Sequence, residues 1–249
     1  MARQRTYGRQ CRFESLENRQ MMAGDVTAQI VNGNLTIKGD ASNNNIAVAV
    51  AGGTVTLTSA DTTVNGASAT AGVALTGTLT GKVEVNLKGG TDNLTLTGPL
   101  TVPGKLEIDN TETVMNTATL TVNGKLDIED VSNLTLVSTT VNGNMNIEGA
   151  KGVDTFSLTD TNVTGKAELE TGKGNDTVTI TAAEAAGTTF GSLEVELGKG
   201  NDTLKMSNTT VPGKTKVDGG KGSDTFDQTG DNNVFTGGLK TKHFETMTP

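Results

Sequence analysis

Val122-Asn-Gly124-Lys-Leu126-Asp-Ile128-Glu129 is the stretch that decides how this chain folds. From Leu126 onward it alternates apolar and polar, so Leu126 and Ile128 share one side of an extended strand while Asp127 and Glu129 share the other. The same grammar returns at Val31-Asn-Gly33-Asn-Leu35-Thr-Ile37 and Val102-Pro-Gly104-Lys-Leu106-Glu-Ile108-Asp109. It returns again as Val141-Asn-Gly143-Asn-Met145-Asn-Ile147-Glu148, Val163-Thr-Gly165-Lys-Ala167-Glu-Leu169-Glu170 and Val211-Pro-Gly213-Lys-Thr215-Lys-Val217-Asp218. With Gly33, Gly53, Gly81, Gly104, Gly124, Gly143, Gly165, Gly191 and Gly213 as markers, copies recur about every 22 residues. Val55/Leu57 is counted here as the inward pair that follows Gly53.

A second alternating run lies later in each unit, at Leu94/Leu96, Leu134/Leu136, Phe156/Leu158, Val178/Ile180 and Leu204/Met206. A third, shorter run leads into the marker glycine, as in Leu100/Val102 and Leu120/Val122. Three short strands per unit predict an all-β chain: a right-handed parallel β-helix, or solenoid, of about nine coils with roughly 22 residues per coil. Strands one coil apart lie about 4.8 Å from each other, so nine coils would make a rod roughly 45 Å long. One coil cannot bury its inner face; stacking does. A β-sandwich of hairpins accounts for the strand content but not for the fixed phrase.

Composition narrows function by exclusion. The chain has 249 residues, six Phe, one Tyr and no Trp, and its net charge is −8. The rod has no basic stripe, so no nucleic-acid partner is expected. No apolar run is long enough for a membrane span. One cysteine (Cys11) and one histidine (His243) leave almost no material for a disulfide, a zinc site or a histidine relay. Ala182 to Ala186 is the one helix-like stretch.

The first 25 residues are basic and lack the apolar centre of an ordinary secretory signal. Phe13, Glu14, Leu16, Glu17, Arg19, Met22, Ala23, Gly24 and Asp25 resemble the "FExLExRxxLAGD"-like leader of exported surface proteins of Planctomycetes, with Met22 in place of the usual Leu. The resemblance implies a secreted or cell-surface protein. Residues 1–25 are then a leader and 26–249 the β-helix domain.

Four coils carry a related corner: Lys151-Gly152-Val-Asp154, Lys173-Gly174-Asn-Asp176, Lys199-Gly200-Asn-Asp202 and Lys221-Gly222-Ser-Asp224, each followed by Thr and an apolar residue. Gly219-Gly220-Lys221-Gly222-Ser223-Asp224-Thr225-Phe226 resembles the unit of the repeats-in-toxin (RTX) calcium-binding family. The resemblance implies calcium at Asp154, Asp176, Asp202 and Asp224 with Gly152, Gly174, Gly200 and Gly222, since glycine turns carbonyls toward one point and Asp adds a hard oxygen. The family repeats every nine residues, whereas this corner comes once per coil. The plain alternative is a tight turn in which Gly bends the chain, Asp caps it and the lysines offset the charge.

Stacking also predicts outward columns of acids, Asp109, Glu129, Glu148, Glu170, Glu196 and Asp218 in one and Glu84, Glu107, Asp127, Glu168 and Glu194 in another, beside Lys82, Lys105, Lys125, Lys166 and Lys214. They read either as a cation-collecting face or as loosely paired solvated charges. Thr155/Ser157 and Thr177/Thr179 form a short hydroxyl ladder of the kind seen on ice-binding rods, but it breaks at Lys205 and Asp227. The rod has no Arg beyond position 19 and spreads its acids as columns rather than gathering them in a cleft. The sequence therefore leads to a non-catalytic structural or adhesive component of a surface or matrix, calcium-stabilised at its corners. A polysaccharide-binding or polysaccharide-cleaving rod is the alternative. Partners in this reading are polysaccharide, other surface proteins or further copies stacked end to end.

Overall fold

The structure is a computed structural model and describes residues 24–183, 187–230 and 232–248. The leader residues up to Ala23, Cys11 and most of the alanine-rich stretch (184–186) lie outside the described residues. The chain is all-β, without a helix among the described residues, and stacks parallel coils of about 22 residues into a solenoid of about seven turns. At about 4.8 Å per turn the stack is roughly 35 Å long.

Three ladders run along the rod. The first carries the repeated phrase: Val83–Asn86, Leu106–Asp109, Leu126–Val131 and Met145–Gly149 pair in parallel, followed by the second halves of Asn162–Glu170 and Thr188–Glu196, then Thr215–Asp218 and Leu239–Lys242. The second runs from Asn93–Thr97 through Thr113–Asn116, Asn133–Val137, Thr155–Thr159, Thr177–Thr181, Thr203–Met206 and Thr225–Asp227 to Thr246–Thr248. The third is shorter, with Leu100–Val102, Leu120–Val122 and Thr139–Val141 among its strands. In-register stacking puts like side chains over like, so Leu106, Leu126, Met145, Ala167 and Leu193 form one inward column, each buried. Phe156, Phe190 and Phe226 are fully buried and supply the largest core volumes. A buried side chain of this size contributes about 1.5–3 kcal/mol relative to leaving it in water.

Two expectations are corrected. The coil count is about seven rather than nine, and the Gly53 copy is not a coil. Between the strand after Gly33 and the one after Gly81 the chain forms a cap instead. Strand β1 (Gly24–Val31) turns back antiparallel on β2 (Asn34–Lys38). Strand β3 (Asn45–Ala51) does the same with β4 (Thr54–Thr58), which holds Val55 and Leu57. Strands β5 (Thr62–Val64), β6 (Ala67–Ser68) and β7 (Val73–Ala74) close the cap, β6 antiparallel to β5 and β7 antiparallel to β4. Asn32 (φ 49°) and Gly33 (φ 78°) both sit at positive φ, which a two-residue hairpin turn requires. Strand β2 then pairs parallel with Val83–Asn86, and β3 with Asn93–Thr97, so the cap hands its register to the coils.

Strand β1 begins at Gly24, two residues before the expected domain boundary at 26. Asp25, the last residue of the leader-like motif, takes the Gly66 N–H at 3.0 Å and the Thr63 hydroxyl on its Oδ1. It belongs to the cap.

Candidate functional site

The second ladder begins at the glycine–aspartate corner, and the direction of each Asp follows from the two-residue period of a strand. Val178 points inward and Thr177 outward, so Asp176 points inward as well. The same parity joins Asp154 to Phe156, Asp202 to Leu204 and Asp224 to Phe226. All four aspartates are at most 1% exposed. The structure thus stacks the four expected residues in one column, aimed into the corner.

Each carboxylate reaches across one coil. Asp176 Oδ1 accepts the Asp154 N–H, Asp202 Oδ1 the Asp176 N–H and Asp224 Oδ1 the Asp202 N–H, all at 2.8 Å. Glu245 ends the series by accepting the Asp224 N–H at 2.6 Å. The side chains therefore satisfy backbone donors that would otherwise be buried without a partner. Their other oxygens are not satisfied. The Oδ2 atoms of all four aspartates, and Oδ1 of Asp154, are buried without a hydrogen bond.

The glycines have a packing role. A Cβ on Gly174 would lie 1.8 Å from the Gly152 carbonyl oxygen, one on Gly200 1.4 Å from that of Gly174, and one on Gly222 1.5 Å from that of Gly200. Only glycine lets these backbones stack. Lys151, Lys173, Lys199 and Lys221 bridge in register as a short fourth ladder. The Lys173, Lys199 and Lys221 carbonyls accept the N–H groups of Gly152, Gly174 and Gly200 at 2.8–3.1 Å. The Gly172 and Gly198 carbonyls accept those of Lys199 and Lys221 at 2.9 and 2.8 Å. The four lysine side chains are exposed, and among the described residues none forms an ion pair with a corner aspartate.

Register extends the column beyond the four corners, to Asp92 in the partial corner Gly89-Gly90-Thr91-Asp92 and to Asn44, Glu112 and Ser132, which sequence reasoning missed. Asn44, Asp92, Glu112 and Ser132 occupy the same position in the earlier coils, one residue ahead of Asn45, Asn93, Thr113 and Asn133. Asn44, Asp92 and Ser132 are buried. Asp92 Oδ1 accepts both the Asn44 N–H at 2.7 Å and the Asn44 side-chain amide at 3.3 Å. The parity with Ile46, Leu94 and Leu134 was the available signal.

Burial, and then the charge of Asp176, pushes Asp154 up to about 7, with Ser132 and the Ala150 N–H offsetting part of the effect. Burial raises Asp202 to about 6, against the Asp176 N–H that it accepts and with the charges of Asp176 and Asp224. Burial raises Asp92 too. The two outward columns differ: burial raises Asp109, Glu129 and Glu170, whereas Glu84, Asp127 and Glu194 of the lysine-paired column are lowered. Lys105 and Lys125 bracket Asp127 at 2.8 and 2.9 Å, and Lys166 and Lys216 bracket Glu194 at 2.6 and 3.2 Å. Burial pushes Asp127 upward, but Lys105, Lys125 and Asn146 outweigh it and its carboxyl is lowered. Glu194 is lowered mainly by Lys166.

The corner has the hard-oxygen chemistry calcium takes, and its Oδ2 atoms are free. Calcium needs six to eight oxygens. Among the described residues no three His, Cys, Asp or Glu side chains converge as a metal site. The Oδ1 atoms of Asp176, Asp202 and Asp224 and the corner carbonyls named above are already engaged between coils. A cation at this corner would be held by the unengaged Oδ2 oxygens of Asp154, Asp176, Asp202 and Asp224.

His243 lies on the outside, its Nδ1 2.7 Å from Asp218 Oδ1, in a trough with Glu196 and Lys173, Lys199 and Lys221. No hydroxyl, thiol or aromatic side chain other than this imidazole lines the trough. No helix among the described residues is long and apolar enough to cross a membrane. Compared with protein-family models, with curated proteins and with solved structures, the chain matches none.

Proposed function

We propose that this chain is a non-catalytic structural rod of a cell surface or extracellular matrix. The observation that carries the reading is the in-register repetition of the charged face. The same Lys–acid pairing recurs from coil to coil, at Lys82–Glu84 (2.9 Å), Lys105–Glu107 (3.2 Å) and Lys166–Glu168 (3.0 Å). A catalytic site singles out one constellation and perturbs it. Here the lysine pairing repeats along one outward column rather than converging on a single point, and the groups with the largest upward shifts are sealed inside the corner. The exterior location rests on the likeness of Phe13–Asp25 to the planctomycete leader. A repetitive, lysine-paired exterior over an apolar interior suits a load-bearing or spacing element.

Cosedimentation with insoluble neutral and acidic polysaccharides, together with an assay for released sugar ends, tests this reading. It expects neither saturable binding nor product. Turnover of any polysaccharide, or saturable binding lost on Lys166→Ala, would replace it with the polysaccharide reading. Surface labelling of intact cells tests the location.

A further inference from the structure

We propose that the aspartate stack is closed by protons: alternate rungs, Asp154 and Asp202, fold as neutral acids that donate to the free carboxylate oxygens of their neighbours, which makes the stacking of these coils pH-dependent. Three observations on the geometry lead here. First, the four Oδ2 atoms are buried and make no hydrogen bond, and a buried carboxylate oxygen without one is costly. A proton on every second rung converts two mutually repelling carboxylates into a hydrogen-bonded pair. Carboxyl pairs held close share protons in this way because both cannot ionise.

Second, among the described residues no lysine or histidine pairs with a corner aspartate. The groups facing Asp154 are Ser132 and Glu112 from the coils before it and Asp176 from the coil after it. Those facing Asp202 are Asp176 and Asp224, with Glu245 beyond. The outward Glu148, Glu170, Glu196 and Asp218 precede the corner and add negative charge. The lysines of the same corner hold their ammonium groups in solvent.

Third, the chain contains its own neutral control. Where the column meets the cap, Asn44 stands in place of an acid, fully buried, and its amide donates to Asp92 Oδ1 at 3.3 Å. A protonated Asp has the same shape and the same capacity to donate.

The sign follows from linkage. Below about pH 4 both the folded and the unfolded chain hold these protons. Between about pH 4 and the folded values of about 7 and 6, only the folded chain does, so stability falls as pH rises through this window and levels off above it. Asp92, Asp109, Glu129 and Glu170 are also raised by burial and act in the same sense, whereas the outer Asp127 and Glu194 work in the opposite sense and lose their contribution in acid.

The test is thermal unfolding of the whole chain from pH 4.5 to 8.5, with and without excess calcium, for wild type and for Asp154→Asn/Asp202→Asn. Wild type is expected to lose about 5–10 °C in Tm between pH 5 and pH 8 in either medium. The double variant, which mimics the protonated rungs permanently, is expected to lose much less than wild type between pH 5 and pH 8 and to exceed wild type at pH 8. In addition, the infrared band of a protonated carboxyl is expected in folded wild type at pH 6 and is readable even if the variant does not fold. A Tm that rises with pH across this window, or the absence of that band, overturns the proposal. So does a calcium-dependent rise in Tm that the Asn variant abolishes, which would place a cation rather than a proton between the rungs.

Discussion

Asp127 and Asp154 stand only one coil apart, yet the fold treats them in opposite ways. Asp127 faces outward and is gripped by two lysines at 2.8 and 2.9 Å. Asp154 faces inward, is 0% exposed and has no cation within reach. Both sit in columns repeating about every 4.8 Å, a spacing at which like charges repel by roughly 1 kcal/mol in water and by more in a protein interior. The outer column relieves that repulsion by interleaving opposite charge. The corner has only the backbone N–H groups to offer, and these occupy one oxygen each on Asp176, Asp202 and Asp224. Parity along the strand, not residue type, decides which solution a carboxylate receives.

The largest effect is expected where the corner has least room. Gly200→Ala places a methyl 1.4 Å from the Gly174 carbonyl oxygen, so the coil must open to admit it. A loss of roughly 3 kcal/mol is expected from strain and overpacking together. The comparison position is Gly152, where an added Cβ meets nothing within 4 Å and only its φ of 118° opposes alanine. Denaturant unfolding of both variants should rank Gly200→Ala well below Gly152→Ala. Equal losses would mean that the coils are not stacked backbone on backbone.

Asp202→Ala comes next. It removes the acceptor of the buried Asp176 N–H, and an orphaned buried donor costs about 1–3 kcal/mol. Asp202→Asn keeps an acceptor at the same place, so its stability at pH 7 should lie far above that of the alanine variant. If the two variants melt together, the coil-to-coil bond contributes nothing.

Most of this was readable from sequence, and the failures have specific causes. The phrase Val-x-Gly-x-apolar-x-apolar located the first ladder because alternation and period are both local. Gly53 misled because alternation does not name a strand's partner, and Val55/Leu57 fits a hairpin as well as a coil. Asn32-Gly33 and Gly52-Gly53 are two-residue hairpin signals, and giving them weight would have separated the cap from the coils. The corner aspartates were located correctly as a column. Their inward direction could have been read from their parity with Phe156, Val178, Leu204 and Phe226. The hydrogen bonds from Asp to the previous coil were not readable, since they depend on how closely the glycine corners stack.

A third test sets the two regions against each other by pH. Asp127→Asn should cost about 1 kcal/mol at pH 7, where it strands Lys105 and Lys125, and progressively less as pH falls through the lowered folded value of the wild-type carboxyl. The sign follows from its lowered value: a depressed carboxyl contributes above the unfolded range near pH 4 and loses that contribution as pH falls. A corner aspartate changed to Asn should show the reverse profile. Chemical unfolding at pH 3, 5, 7 and 8 reads both, and parallel profiles would erase the distinction between the two columns.

The smallest effect belongs to a single outer lysine. Lys166 touches Glu168 at 3.0 Å and Glu194 at 2.6 Å, but its side chain is 41% exposed, so water screens most of the attraction. Lys166→Ala should cost about 0.5 kcal/mol in dilute buffer, and the difference should vanish near 1 M salt, where the screening length is about 3 Å. The corner should ignore the same salt, because its carboxyls are sealed from ions. A salt titration of wild type, Lys166→Ala and Asp202→Ala therefore separates a face stabilised by screened charge from a corner held by short buried bonds. Salt that rescued Asp202→Ala would show that the corner is wet and that its carboxylates are screened like those outside.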